Sequence, residues 1–290
     1  MENKDFAIFI LSHGRPDNVR TLRALTNNGY TGRIFIVVDN EDKRSDEYFN
    51  LYGDKVVMFD KLAMANKTDE GDNFNDRRTT THVRNAIFEI AKELNITYFM
   101  MLDDDYTNFS YRVDTDFKYR QRSMRRMDKI LDIMLNYYKS VPTLLSLCMS
   151  QGGDFIGGAN SAMLANGMKP RRKAMNSFIC STERPFMFFG RLNEDVDTYV
   201  SLGSRGALFL TVPNVCVNQL ETQQNTGGMT DTYLDSGTYV KSFYTVMYQP
   251  SSVKIGLMGD SHKRIHHTIK WINTVPVLLD QKYKKTVTTE

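Results

Sequence analysis

Tyr98-Phe99-Met100-Met101-Leu102-Asp103-Asp104-Asp105 decides how this chain is read, because an apolar run ends abruptly in three adjacent carboxylates. A short apolar run following a helical pattern reads as a buried strand. That pattern lies directly upstream, where Val83, Ile87, Ile90, Ala91 and Leu94 recur at steps of three and four and put one apolar face on a sheet. Working backwards, strand-like runs at Ala7 to Leu11, Ile34 to Val38 and Val56 to Phe59 alternate with helical stretches. Alternation of this kind predicts βαβ units and a mostly parallel central sheet flanked by helices, an α/β fold.

Working forwards, an Arg-rich segment precedes a helix with Met127, Ile130, Leu131, Met134 and Tyr138 on one face, then the strand-like run Leu144 to Met149. From Gln151 the pattern loosens, with glycine pairs at Gly152-Gly153, Gly157-Gly158 and Gly227-Gly228 and a basic loop at Lys169-Pro170-Arg171-Arg172-Lys173. Strands are expected again at Ala207 to Val212 and Val215 to Val217, and a helix through Tyr239, Val240, Phe243, Tyr244 and Met247. A chain of 290 residues suits one catalytic domain with insertions and a Lys-rich tail after Gln281.

Composition bounds the partners. No stretch approaches the roughly 18 apolar residues of a membrane span, and Met1-Glu2-Asn3-Lys4-Asp5 is unlike a signal peptide, so a soluble intracellular protein is expected. Cys148, Cys180 and Cys216 are odd in number and widely spaced, which favours buried free thiols over disulfides or a CxxC metal site. A formal charge of +3 is too small by its sum to identify a nucleic-acid binder.

In open α/β sheets, ligands bind beyond the carboxyl ends of the strands. Polar residues stand there each time: Ser12, His13, Gly14 and Arg15 after the first strand, Asp39 and Asn40 after the second, Asp103 to Asp105 after the central one. Three adjacent carboxylates repel one another unless a divalent cation neutralises them, and Mg²⁺ or Mn²⁺ accepts one or two carboxylates together with substrate phosphate oxygens. Alternation along an extended strand gives Asp103 and Asp105 the shared metal and nucleotide duties and turns Asp104 elsewhere. A solvated acidic turn is the plain alternative.

The ordered run Val37-Val38-Asp39-Asn40, Arg84-Asn85-Ala86 and Met101-Leu102-Asp103-Asp104-Asp105 resembles the nucleotide-sugar half of GT-A glycosyltransferases. Over nearly the whole length, Ser12-His13-Gly14-Arg15-Pro16, Arg84-Asn85-Ala86, Asp103-Asp104-Asp105-Tyr106, Asn193-Glu194-Asp195-Val196-Asp197, Gly227-Gly228 and Ile265-His266-His267 resemble the TET-associated glycosyltransferases of phages, relatives of the base J glucosyltransferases. The resemblance implies a GT-A fold with a Rossmann-like nucleotide-binding half, residues 1–110, and an acceptor half, residues 111–290. It implies that Ser12, Arg15, Asp39, Arg84, Asp103 and Asp104 bind the nucleotide sugar, with Asp39 at the uracil and Arg84 near the diphosphate. It implies a metal at Asp105 and Asp103, with His266 or His267 as a late ligand; neighbours in a strand face opposite ways, so at most one of the two ligates. Asp195 is the expected general base, with Glu194 as the fallback. At a helix start, acids that merely complement the dipole would look the same. His13 and His82 are expected to be structural or substrate-shaping.

Membership further implies transfer from a UDP-sugar to the hydroxymethyl oxygen of 5-hydroxymethylcytosine, or a related pyrimidine, in phage DNA within the host cytoplasm. Basic residues Arg112, Lys118, Arg120, Arg122, Arg125 and Arg126, interleaved with Tyr106, Phe109, Tyr111, Phe117 and Tyr119, suit a phosphate backbone with bases to stack, as do Lys169, Arg171, Arg172 and Lys173 in charge alone. Gln223, Asn225, Gly227 and Gly228 form a candidate acceptor loop. The competing readings are a glycosyltransferase acting on protein or glycan, and a non-catalytic nucleic-acid-binding module that has kept the fold.

Overall fold

The computed structural model describes residues 2–116, 118–155, 158–161, 174, 176–219, 229–237, 239–259 and 263–276. Strands β1 (Phe6–Leu11), β2 (Arg33–Asp39), β3 (Val56–Phe59) and β4 (Tyr98–Asp103) alternate with helices α1 (Arg20–Asn27), α2 (Ser45–Tyr52), α3 (Lys61–Ala65) and α4 (Thr81–Glu93). Next come the hairpin strands β5 (Tyr106–Val113) and β6 (Tyr119–Ser123), α5 (Met127–Ser140), β7 (Leu144–Gln151), β8 (Ser177–Ser181), α6 (Glu194–Ser204) and β9 (Leu208–Gln219). Helices α7 (Met229–Ser236) and α8 (Val240–Tyr248) and the strands β10 (Val253–Met258) and β11 (Arg264–Ile269) complete the described chain.

Nine strands form one sheet in the order β3-β2-β1-β4-β8-β7-β9-β5-β6, and β10 with β11 forms a separate two-stranded one. The α/β expectation holds. The first four strands are parallel, as read from the βαβ alternation. Beyond β4 the pairs are antiparallel except β7 with β9, so the sheet as a whole is mixed. β8 and the β5–β6 hairpin were not legible as strands, and the two short strands expected at 207–217 are one, β9. β5 and β6 were hidden because their polar and charged residues break the apolar pattern that marks a buried strand.

One apolar cluster covers the α1 and α5 face of the sheet and includes Ile8, Leu25, Met100, Phe109 and Leu131. The other, with Phe9, Ile87, Phe99, Phe178 and Val200, lies beneath α4 and α6. β4 contributes to both in strict alternation, Met100 and Leu102 to one face and Phe99 and Met101 to the other. Such two-sided burial accounts for the uninterrupted apolar run in its sequence. Leu11 pairs with Val37 on one side and with Asp103 on the other, which levels the carboxyl ends of β1, β2 and β4. Cys148, Cys180 and Cys216 are buried free thiols. Among the described residues, no helix is long and apolar enough to cross a membrane.

Candidate active site

The acidic turn is gripped from α1. Thr21 Oγ1 donates to the Asp103 carbonyl at 2.6 Å and accepts from the Tyr106 amide at 2.9 Å, while the Thr21 amide donates to the Asp104 carbonyl at 3.1 Å. The three carboxylates then diverge. Asp104 is buried, accepting from Ser12 Oγ at 2.6 Å and Arg15 Nη2 at 2.7 Å. Tyr48 holds the Ser12 loop in place, its hydroxyl bonded to Ser12 Oγ at 2.7 Å and accepting from the Arg15 amide at 2.8 Å. Asp103 accepts from Arg84 Nη2 at 3.0 Å and Asn176 Nδ2 at 2.9 Å. Asp105 is half-buried, and no side chain among the described residues hydrogen-bonds or ion-pairs with its carboxylate. Burial raises all three carboxyls to about 6; Arg84 opposes this at Asp103 and Arg15 at Asp104, whereas the Asp104 charge adds to it at Asp105.

Arg84 joins this turn to the second half of the sequence. It is 1% exposed, in the first turns of α4, with its guanidinium 5.4 Å from the Phe178 ring centroid and 5.8 Å from that of Phe188. Its Nε donates to Glu194 Oε1 at 2.9 Å while Nη2 serves Asp103, and Nη1 is buried with no hydrogen-bond partner among the described residues. Asn85 forms a two-way amide clamp on Phe188, donating to its carbonyl at 2.9 Å and accepting from its amide at 2.8 Å. Segment 186–190 leads directly to α6, so the adjacent Arg84 and Asn85 together set the place of Glu194 and Asp195. Asn193 caps that helix with φ 66°, a left-handed conformation that asparagine tolerates better than most residues. Its side chain donates to Thr245 Oγ1 at 2.7 Å, and Thr245 Oγ1 donates to buried Asp197 at 2.5 Å, which ties α6 to α8. Asp195 is 8% exposed in the first turn of α6.

At the end of β2, Asp39 accepts from His13 Nδ1 at 2.7 Å, and Lys61 Nζ lies 3.3 Å away. Burial would raise this carboxyl, but the His13 hydrogen bond and the Lys61 charge outweigh it and hold Asp39 below the usual range. His82, fully buried on α4, meets Glu70 Oε1 through Nε2 at 2.6 Å. The loop carrying Glu70 pairs by its carbonyls with the Gly190 and Arg191 amides, both at 2.8 Å, and Thr81 Oγ1 donates to the Gly190 carbonyl at 2.5 Å. Desolvation lowers His82 to about 4, so the folded state favours the neutral ring. A depressed histidine supplies stability above its unfolded pKa of 6.5 and loses it as pH falls from there toward 4. The raised carboxyls of Asp103 to Asp105 act in the opposite sense over part of that range. His82→Gln should therefore flatten the acid-side fall in melting temperature between pH 7 and pH 5; an unchanged slope would exclude His82 as its source.

The model of the TET-Associated Glycosyltransferase family matches residues 6–228. The chain belongs to that family. No curated protein matches the sequence. Among solved structures, this TET-associated glycosyltransferase is similar to a mycobacterial protein at 9% identity and a TM-score of 0.44, over 91% of this chain and 83% of that one. It is also similar to glucosyl-3-phosphoglycerate synthase from Mycobacterium tuberculosis in complex with Mn²⁺, UDP and phosphoglyceric acid, at 10% identity and a TM-score of 0.43, over 91% and 86% of the two chains. GalNAc-T7 with UDP, GalNAc and Mn²⁺ is similar at 12% identity and a TM-score of 0.39, over 74% of this chain and 44% of that one.

The TET-associated glycosyltransferase gathers Ser12 and Arg15 on Asp104, and Asp103, Arg84 and Glu194 in a second group, the two joined through adjacent Asp103 and Asp104, with Asp105 beside them. Asp39 sits in its own group with His13 and Lys61. His266 and His267 lie on β11, outside both the main sheet and the segment matched by the family model. Their rings do not face opposite ways as expected of strand neighbours: the centroids are 4.2 Å apart. Among the described residues no three His, Cys, Asp or Glu side chains are gathered as a metal-binding group. Gln223, Asn225, Gly227 and Gly228 lie outside the described residues, as do Lys169, Arg171, Arg172, Lys173 and Phe117.

Two readings of the basic segment are corrected. Tyr106 and Phe109 are fully buried in the core and Tyr119 packs against Phe155, so these rings hold the hairpin rather than offer faces to bases. Arg112 is buried as well, bonded to Gln121, Cys216 and Asn218. Sequence reasoning missed Thr21, Tyr48, Lys61 and Asn176. Lys61 follows β3 closely and was reachable by the same strand-end rule that found Asp39. Asn176 precedes a strand that was itself illegible, and Thr21 and Tyr48 carry no mark that separates them from other polar helix residues.

Proposed function

We propose that this glycosyltransferase, one GT-A catalytic unit with a donor half (1–110) and an acceptor half (111–290), moves a sugar from a UDP-sugar to the hydroxymethyl oxygen of 5-hydroxymethylcytosine, or a related pyrimidine, in DNA. The observation that carries a transferase site is Arg84, a buried cation shared between Asp103 and Glu194. It engages one member of each acidic motif, Asp103 and Glu194; Asp105 stands beside the first and Asp195 in the first turn of α6 beside the second. UDP as donor and modified DNA as acceptor come from the family resemblance.

The donor side is built from Ser12, Arg15, Asp39, Asp103 and Asp104, with buried Arg84 behind Asp103 and, as the family resemblance implies, near the diphosphate. A divalent cation fits Asp105, because Mg²⁺ or Mn²⁺ asks for one or two carboxylates plus phosphate oxygens and no side chain among the described residues takes this carboxylate. Asp103 would be its second ligand. When bound, such an ion neutralises charge on the departing diphosphate. Asp195 takes the proton of the acceptor hydroxyl; the oxygen attacks the anomeric carbon from the face opposite the diphosphate, the bond to the diphosphate oxygen breaks, and UDP leaves with inversion. Glu194, held by Arg84, positions the start of α6 and does not accept the proton.

Incubation with Mn²⁺, a panel of UDP-sugars and hydroxymethylated DNA, followed by mass spectrometry of the nucleosides, tests donor and acceptor together. One nucleoside gaining the mass of one sugar is expected; modified cytosine left intact with every donor overturns the reading. Asp105→Ala should abolish transfer while the fold stays intact by circular dichroism, and undiminished turnover would remove Asp105 from the metal site.

A further inference from the structure

The β5–β6 hairpin, which carries the edge strand of the sheet, starts one residue after Asp105. β6 exposes Arg120 and Arg122. Arg122 pairs with Tyr111, so the two share a face, and Tyr111 packs on the α1 and α5 side of the core. The β5–β6 register shifts between Arg122 and Tyr119, but Gln121 bonds Arg112 beneath Phe155 on the opposite side, and exposed Arg120 and Arg122 flank it. Arg125 and Arg126 follow where the chain packs on the end of α1: the Met127 amide donates to the Asn28 carbonyl at 3.0 Å. At the opposite end of α1, roughly 12 Å away along its axis, exposed Arg20 precedes the Thr21 that grips the acidic turn. None of Arg20, Arg120, Arg122, Arg125 and Arg126 makes a contact ion pair with a carboxylate among the described residues, although the charge of Arg120 acts on Asp114 and that of Arg20 on Asp105.

Acidic groups on this side are otherwise engaged or distal. Asp128 bonds Thr31, and Asp114 turns its carboxylate to the Asp116 and Lys118 amides at the hairpin tip, where Asp116 is exposed. Exposed unpaired arginines on a sheet edge repel a second protein edge strand, and their sign and spacing suit a polyanion. We infer that Arg120 and Arg122 of the edge strand, continued by Arg125, Arg126 and Arg20, form a track that holds the phosphate backbone of nucleic acid and leads it to the Asp103–Asp105 turn. This deepens the DNA-acceptor reading and rests on it. Backbone contact without base readout supplies affinity and position, not sequence choice.

The test is the double variant Arg120→Ala/Arg122→Ala with an unmodified duplex as the binding probe, and with hydroxymethylated DNA and the free hydroxymethylated nucleoside as acceptors. Each phosphate contact contributes about −0.9 to the slope of log affinity against log salt for duplex DNA, so the variant slope should be shallower by about 2. KM for DNA should rise on the order of tenfold at physiological salt, with kcat and the rate on the free nucleoside unchanged. The double Lys variant should restore the slope. A variant slope and KM equal to wild type, with the wild type active on DNA, would overturn the track and leave the acceptor reading standing. Wild-type protein that shows no salt-dependent duplex binding and modifies neither DNA nor the nucleoside would overturn both.

Discussion

Asp195→Asn should lower transfer by about 10²–10⁴-fold, the usual contribution of a positioned general base, and leave donor affinity near the wild-type value. The amide nearly preserves the shape of the carboxylate but cannot take a proton. Titration of UDP by calorimetry separates binding from chemistry. Wild-type turnover in Asp195→Asn would disqualify it as the base, and a loss of UDP binding of the same size would make it a donor-site residue instead. Glu194→Gln is the informative partner. Because Glu194 accepts from Arg84 at 2.9 Å, its substitution should weaken the placement of α6 rather than remove the base, giving a smaller loss in turnover with a measurable loss of stability.

Arg84→Met should destabilise the fold by about 3–5 kcal/mol, because removing one partner of a buried ion pair strands the others. Here two carboxylates are left, Asp103 and Glu194, in a site lined by Phe178 and Phe188. At this chain length that corresponds to a fall of roughly 10 °C in melting temperature. Activity should be lost as well, because Asp103 and the α6 start would both relax. Arg84→Lys keeps the charge but not the fork that reaches two carboxylates at once, and should recover part of the stability and little of the activity. A melting temperature within a degree of wild type for Arg84→Met would show that the two halves are held by other contacts. It would also remove the argument that Arg84 orders the site.

The parallel half of the sheet was legible because β1, β4 and the carboxyl end of β2 are buried on both faces and the helices between carry an apolar face. β4 is the clearest case, with all of Phe99 to Leu102 fully buried. The strand-end rule then found Ser12, Arg15, Asp39 and the aspartates without any structure. It failed beyond β4, where sheet pairing is mostly antiparallel and the sequence between β7 and β8 is long. β8 is only five residues, and β5 and β6 are polar, so their strand character comes from neighbours rather than pattern. The interleaved aromatics show the same limit: Tyr106 and Phe109 looked like bases' stacking partners by composition and are core by burial.

The acidic turn itself divides along this line. Sequence alone determined that three carboxylates end a buried strand, that a helix bearing Arg84 and Asn85 feeds it, and that a second acidic pair opens a later helix; periodicity and adjacency carry that information locally. Tertiary structure decided which partner each carboxylate engages. Ser12 and Arg15 claim Asp104, Arg84 and Asn176 claim Asp103, and Arg84 again claims Glu194, while no side chain among the described residues claims Asp105. The partners lie up to 110 residues away in the chain, and hydrogen bonds across such separations are set by packing, which local sequence does not encode.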